Sequence, residues 1–185
     1  MIFEYTLTGT GWADVKLEVN ACECVFSPGY VSEPLVDLVE SLLEMIPGFI
    51  PKYELKTNVT FHWDEEPTIV RWNLIRQGSE LLKIKVTTYD DDLPNGKVEL
   101  NELCNFNAFV TEVVGSLEKL LSKHGIVGYK ETWSGRDFPI SGYLKLKHYI
   151  DDGNKKYPIK TLNGYETSDL SNEISMLTFL ASQNS

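Results

Sequence analysis

Between residues 59 and 86 the chain alternates apolar and polar side chains with a period of two, in three successive runs, and this restricts the fold more than any other feature. In "VTFHW" and the residue after it, Val59, Phe61 and Trp63 share one parity, and Thr60, His62 and Asp64 share the other. In "IVRWNL", Val70, Trp72 and Leu74 oppose Ile69, Arg71 and Asn73. In "LLKIKVT", Leu82, Ile84 and Val86 oppose Lys83 and Lys85. Successive side chains on a strand point to opposite faces, so each run buries one face and leaves the other to solvent. "DEEPT" and "QGSE" supply the turns, and the three runs read as an antiparallel meander.

The N-terminus repeats the pattern. Phe3, Tyr5 and Leu7 share a parity, "TGTG" at 8–11 turns the chain, and Val15, Leu17 and Val19 resume the alternation. "ACECVF" adds a third strand. The period then changes. In "SEPLVDLVESLLEMIPG", Leu35, Leu38, Val39, Leu42, Leu43 and Ile46 recur at helical spacing, with Ser32 as N-cap, Pro34 in the first turn and Pro47-Gly48 as the stop. A second helix is expected over 102–123, with Phe106, Phe109, Val110, Val113, Val114, Leu117, Leu120 and Leu121 on its buried face. His124 caps it and Gly125 ends it. "YKETWSGRD" reads as a polar loop. "FPISGYLKLKHYI" reads as a helix capped by Asp137, and "DDGNKKYPIKTLNGYE" as loop. "SDLSNEISMLTFLA" reads as a terminal helix capped by Ser168 or Ser171. The expected fold is α+β in one globular domain spanning 1–185: a mostly antiparallel sheet of five to seven strands, with helices at about 33–46 and 102–123 on one face.

Several function classes fall away. The 185 residues carry a net charge of −10, which repels phosphate backbones, and no tract rich in lysine and arginine offsets it. A nucleic-acid partner is therefore not expected. No run approaches the roughly 18 apolar residues that cross a bilayer, and "MIFEYTLTG" has no basic region before its apolar run, so the chain reads as cytosolic. Three cysteines, Cys22, Cys24 and Cys104, do not suit a disulfide framework, and no histidine stands at zinc-finger spacing from them. "DDDLPNG" fails as a calcium loop, because counting from Asp90 its fifth position is Pro94 and its sixth is Asn95. Nucleophile elbows, Walker motifs and metalloprotease motifs are missing from the sequence. No metal or cofactor is expected.

Two candidate surfaces stand out. Glu33, Asp37, Glu40 and Glu44 fall on the outer side of the first helix with no basic residue inside it, and Asp90, Asp91 and Asp92 crowd one loop. Like charges at these helical spacings repel by a few tenths of a kcal/mol per pair, roughly. Such carboxylates suit a basic protein partner. The other candidate is "FHWDEEPTIVRW", residues 61–72, where His62 and Asp64 offer an acid–base pair beside Arg71 for a small hydrolase or metal-dependent enzyme. The plainer reading makes the two tryptophans core and the polar residues an ordinary cross-strand face. A third possibility is a structural subunit that self-associates through aromatic surface.

Together, "YTLTGTGWADVKLEV", "VSEPLVDLVESLL" and "FHWDEEPTIVRW" resemble segments of a group of small bacterial proteins, over about the first half of the chain. That resemblance carries no activity to transfer. As a compact, acidic domain without a catalytic signature, the chain is similar in class to the immunity proteins of bacterial toxin systems, which act by covering a toxin domain. The similarity implies a non-enzymatic binding protein with a basic, toxin-like partner.

Overall fold

A computed structural model describes residues 1–90, 92 and 95–182. The N-terminal meander forms as expected, with β1 (Ile2–Gly9), β2 (Trp12–Val19) and β3 (Cys22–Phe26) in an antiparallel sheet of order β1-β2-β3. After α1 (Pro34–Glu44) come β4 (Asn58–Glu65), β5 (Thr68–Gln77), β6 (Leu81–Tyr89) and β7 (Lys97–Asn105), in a second sheet of order β4-β5-β6-β7. Then follow α2 (Phe106–Thr132), α3 (Ile140–Asp151), a small hairpin of β8 (Lys160–Leu162) with β9 (Tyr165–Thr167), and α4 (Leu170–Ser182).

The class is α+β, but the single sheet of five to seven strands is not formed: the largest sheet has four strands. Alternation states which parity turns inward, not what that parity packs against. Here the inner faces of both sheets pack into one core. Phe26 of β3 meets Trp63 and Trp72 edge-on, at centroid distances of 5.6 and 5.5 Å. Where the sheets approach each other, side chains rather than a ladder join β3 and the turn before it to β7: Cys22 Sγ donates to Glu102 Oε1 at 3.4 Å and Asn20 Nδ2 to Glu102 Oε2 at 2.8 Å. The helices close the same core. Phe109 of α2 packs edge-on against Phe3 at 6.1 Å, and the Tyr5 backbone N–H donates to Ser116 Oγ at 2.9 Å. Leu35, Leu38, Val39 and Leu42 of α1 are fully buried, as their spacing requires.

The second helix differs from expectation at both ends. Residues 102–105 belong to β7, where Lys83 pairs with Leu103 and Leu81 with Asn105. Leu100, Glu102 and Cys104 also alternate, and the ladder with β6 decides in favour of strand. Asn105 then caps α2, its Oδ1 accepting from the Ala108 N–H at 2.9 Å. Gly125 kinks the helix instead of ending it. It adopts φ 65°, ψ 177°, a conformation open to glycine, and helical geometry resumes to Thr132. The "polar loop" is thereby partly helical and anchored by aromatic groups: Trp133 packs on Tyr5 and Tyr129 on Phe138. His124 does not cap, because its Nε2 is buried with no hydrogen-bond partner.

The other expected caps are also replaced. Ser32 Oγ accepts from the Asp64 N–H at 2.9 Å, and α1 starts at Glu33 without a side-chain cap. Asp137 pairs with Lys130 at 2.8 Å, leaving Pro139 at the start of α3. At α4, Asp169 Oδ1 accepts from the Ser171 N–H. The stretch read wholly as loop before it contains the β8–β9 hairpin.

Candidate functional site

Two of the four carboxylates on the α1 stripe are paired with cations from outside the helix. Glu33 Oε1 lies 2.6 Å from Arg136 Nη1, and Glu44 Oε1 lies 2.8 Å from Lys56 Nζ. Asp37 is half-buried, and its carboxyl is pushed up to about 6, first by burial and then by the neighbouring Glu33 charge. Glu40 is exposed. In the acidic loop, Asp90 is half-buried and Asp92 exposed, while Asp91 lies outside the described residues. The sequence places four charges on one helix face; the fold leaves that face much weaker than the count suggests.

The 61–72 segment resolves into two layers. Trp63 and Trp72 are fully buried, 4.7 Å apart, with Phe61 stacked on Trp72 at 5.7 Å. On the outward side, His62 and Arg71 are direct cross-strand partners, and Arg71 Nε donates to His62 Nε2 at 2.9 Å. Arg71 Nη1 donates to Tyr89 Oη at 2.9 Å, and the guanidinium sits over the Tyr89 ring at 4.4 Å. Asp64 does not join them: its backbone N–H donates to Ser32 and its carbonyl accepts from the Gly29 N–H. Among the described residues no hydrogen bond or ion pair joins the Asp64 carboxylate to His62, so the expected histidine–aspartate pair is not assembled. The His62 Nε2 is already used as an acceptor within the sheet face. Glu65, assigned to the turn, ends β4, and its carboxylate accepts from the Ser27 N–H and Thr68 Oγ.

The cysteines stay apart in role. Cys24 is buried and its thiol is pushed up to about 12 by burial and then by Glu99 and Glu23. Cys104 is pushed up to about 11 by burial. Cys22 is exposed, and its thiol is raised because it donates to the Glu102 carboxylate at 3.4 Å. A raised thiol is a poor nucleophile. Among the described residues, no three His, Cys, Asp or Glu side chains are grouped so as to hold a metal ion. No helix among them is long and apolar enough to cross a membrane.

A further acidic surface lies on the outer face of the first sheet. Register places Glu4 beside Lys16, Thr6 beside Asp14, and Glu18 beside Glu23. The face thus carries four carboxylates around a single lysine, which pairs with Glu23 at 2.8 Å. Glu4, Asp14, Lys16, Ser27 and Glu65 line a shallow depression of about 450 Å³, with exposed Val25 beside it. The parity of "FEYTL" and "WADVKLEV" already held this signal, since Glu4, Asp14 and Glu18 all oppose the apolar positions.

No family model, curated protein or solved structure matches this chain.

Proposed function

We propose that this chain is a non-catalytic binding protein of the immunity type, which neutralises a toxin-like partner by covering a basic surface. The observation that carries this reading is the outer face of the first sheet. Glu4, Asp14 and Glu65 line a depression of about 450 Å³ together with Lys16, and exposed Val25 supplies an apolar contact in its wall. An apolar centre within a charged rim is the usual anatomy of a protein–protein interface. Complementary charge of this kind raises the association rate and selects the partner. The net charge of −10 acts in the same direction at longer range. On α1, by contrast, Glu33 and Glu44 are engaged within the chain and exposed Glu40 alone has no ion pair among the described residues, so the helix stripe offers a partner less than the sheet does.

The test is affinity capture from native lysate with the wild-type chain and with a Glu4→Lys, Asp14→Lys, Glu18→Lys, Glu23→Lys variant whose fold is first verified by circular dichroism. The expected result is a basic protein recovered in stoichiometric amount by the wild type and lost with the variant. Its binding should weaken steeply with salt, and a Glu40→Lys variant should retain it. A partner held equally by the charge-reversed sheet, or no partner at all, overturns the proposal.

A further inference from the structure

The second sheet presents an outer face of opposite character. Thr60, His62, Arg71, Asn73, Lys85, Thr87 and Tyr89 line an open concavity of about 360 Å³, and none of them is a carboxylate. The register aligns them: His62 pairs with Arg71 and Arg71 with Thr87, while Thr60 pairs with Asn73 and Asn73 with Lys85.

The hydrogen bonding within this face is directional. His62 Nε2 accepts from Arg71, which leaves the ring proton on Nδ1 as a donor. Tyr89 Oη accepts from Arg71, which leaves its own O–H to donate. Thr60 Oγ accepts from Asn73 Nδ2 at 2.9 Å, which leaves its O–H to donate. Asn73 spends its amide hydrogens on Asn58, Thr60 and the Val59 carbonyl. Arg71 has five N–H groups and uses two of them here. Lys85 adds an exposed ammonium. Most acceptors on the face are occupied internally and the surplus is donors; the exceptions are Asn73 Oδ1, opposite Lys85, and the Thr87 hydroxyl, which can also donate. Arg71 is also held on two sides, by His62 and by the Tyr89 ring, so a ligand would meet it already oriented.

We infer that this concavity binds a phosphate group, as inorganic phosphate or a small phosphomonoester. Two cations and three further donors from β4, β5 and β6 match an anion with several acceptor oxygens better than the two oxygens of a carboxylate. A nucleic-acid strand is disfavoured, because its further phosphates would meet a chain of net charge −10. This site is separate from the acidic face of the first sheet and does not depend on its role.

The experiment is a titration of the ¹⁵N-labelled full chain with inorganic phosphate at constant ionic strength, followed by NMR and repeated with acetate and with a short single-stranded oligonucleotide. Free phosphate and a phosphomonoester such as glycerol phosphate, run separately, identify the source. The expected result is saturable shifts confined to residues near 60, 62, 71, 85 and 89. Arg71→Gln should weaken binding roughly tenfold or more, since it removes charge-assisted hydrogen bonds. Lys85→Gln, which leaves the Arg71 network intact, should weaken it less, and Lys16→Gln on the other sheet should leave it unchanged. Non-saturating or scattered shifts overturn the inference, as do equal affinities in the Arg71 and Lys85 variants and the wild type. Acetate binding as tightly as phosphate overturns it in favour of a carboxylate site, and tighter oligonucleotide binding overturns it in favour of a nucleic acid.

Discussion

Gly142 of α3 packs directly against α1. A Cβ placed there would lie 2.4 Å from Val39 Cγ1 and 3.6 Å from Leu43 Cδ1. Carbon atoms pack best at about 3.5–4.0 Å, so Gly142→Ala asks for a shift of roughly 1 Å or more. Val39 is fully buried in α1, and a helical valine keeps essentially one rotamer, so it cannot turn aside. Overpacking of this kind costs ~1–3 kcal/mol. Alanine returns up to ~1 kcal/mol through helix propensity. The net effect is a loss of ~1–2 kcal/mol, or a fall in Tm of ~2–8 °C for a chain of this size. Val39→Ala alone should cost about 2 kcal/mol through the space it leaves. In that background the sign reverses: the methyl of Gly142→Ala fills the space, keeps the propensity gain and stabilises. Urea unfolding of the wild type, both single variants and the double variant measures the coupling directly. If Gly142→Ala is destabilising to the same degree with and without Val39, the close helix approach is not what requires glycine.

Three further expectations follow from charge and burial. Thiol labelling of the native chain at neutral pH should modify Cys22 first and leave Cys24 and Cys104 protected; Glu102→Gln should speed Cys22, since it removes the carboxylate that raises its thiol. Asp37 should titrate near pH 6 by NMR. Because its folded value lies above the ordinary 3.8, the folded state holds that proton more tightly, and the stability this contributes at low pH is lost as pH rises from about 3.8 through 6. Glu33→Gln should lower the midpoint without restoring the ordinary value, as burial is the larger cause. Glu118→Ala should destabilise by ~1–3 kcal/mol, because Glu118 accepts from Tyr143 Oη and from the buried ammonium of Lys147 at 2.7 Å. Lys147 keeps its pair with Asp151 at 3.1 Å, so the loss should fall at the low end of that range and Asp151→Asn in the Glu118→Ala background should deepen it, as chemical unfolding would show.

The readable parts of the fold were those governed by a local period. Trp63, Trp72, Leu74 and Ile84 are buried and His62, Arg71 and Lys85 exposed because neighbouring side chains on a strand must diverge, whatever lies beyond the sheet. The stripe of α1 is inward for the same kind of reason. Caps were less legible. Ser32, Asp137 and His124 have suitable chemistry, but each also has another place to go: Asp64, Lys130 and the depression beside Tyr5 and Ser116 compete for them. Local hydrogen bonds of similar strength are decided by which partner the fold brings near. The candidate sites show the same limit. Parity could say that His62 and Arg71 share a face, but not that Arg71 would donate to His62 while Asp64 stood aside.

What the sequence by itself determined is the buried side of the first six strands and of the helical stripes with a clear period, though not β7 or the β8–β9 hairpin, because side-chain direction repeats every two residues in a strand and about every 3.6 in a helix. Only the tertiary structure decided that two meanders face one another across Phe26, Trp63 and Trp72 instead of joining edge to edge. It also decided which charges remain available to a partner. Arg136 is 103 residues from Glu33 in the chain and 2.6 Å from it in space, whereas Glu4, Asp14 and Glu18 gather around one lysine. Charge is additive along a sequence, but its effect falls with distance and with the nearest counter-ion, and those distances exist only in the folded chain.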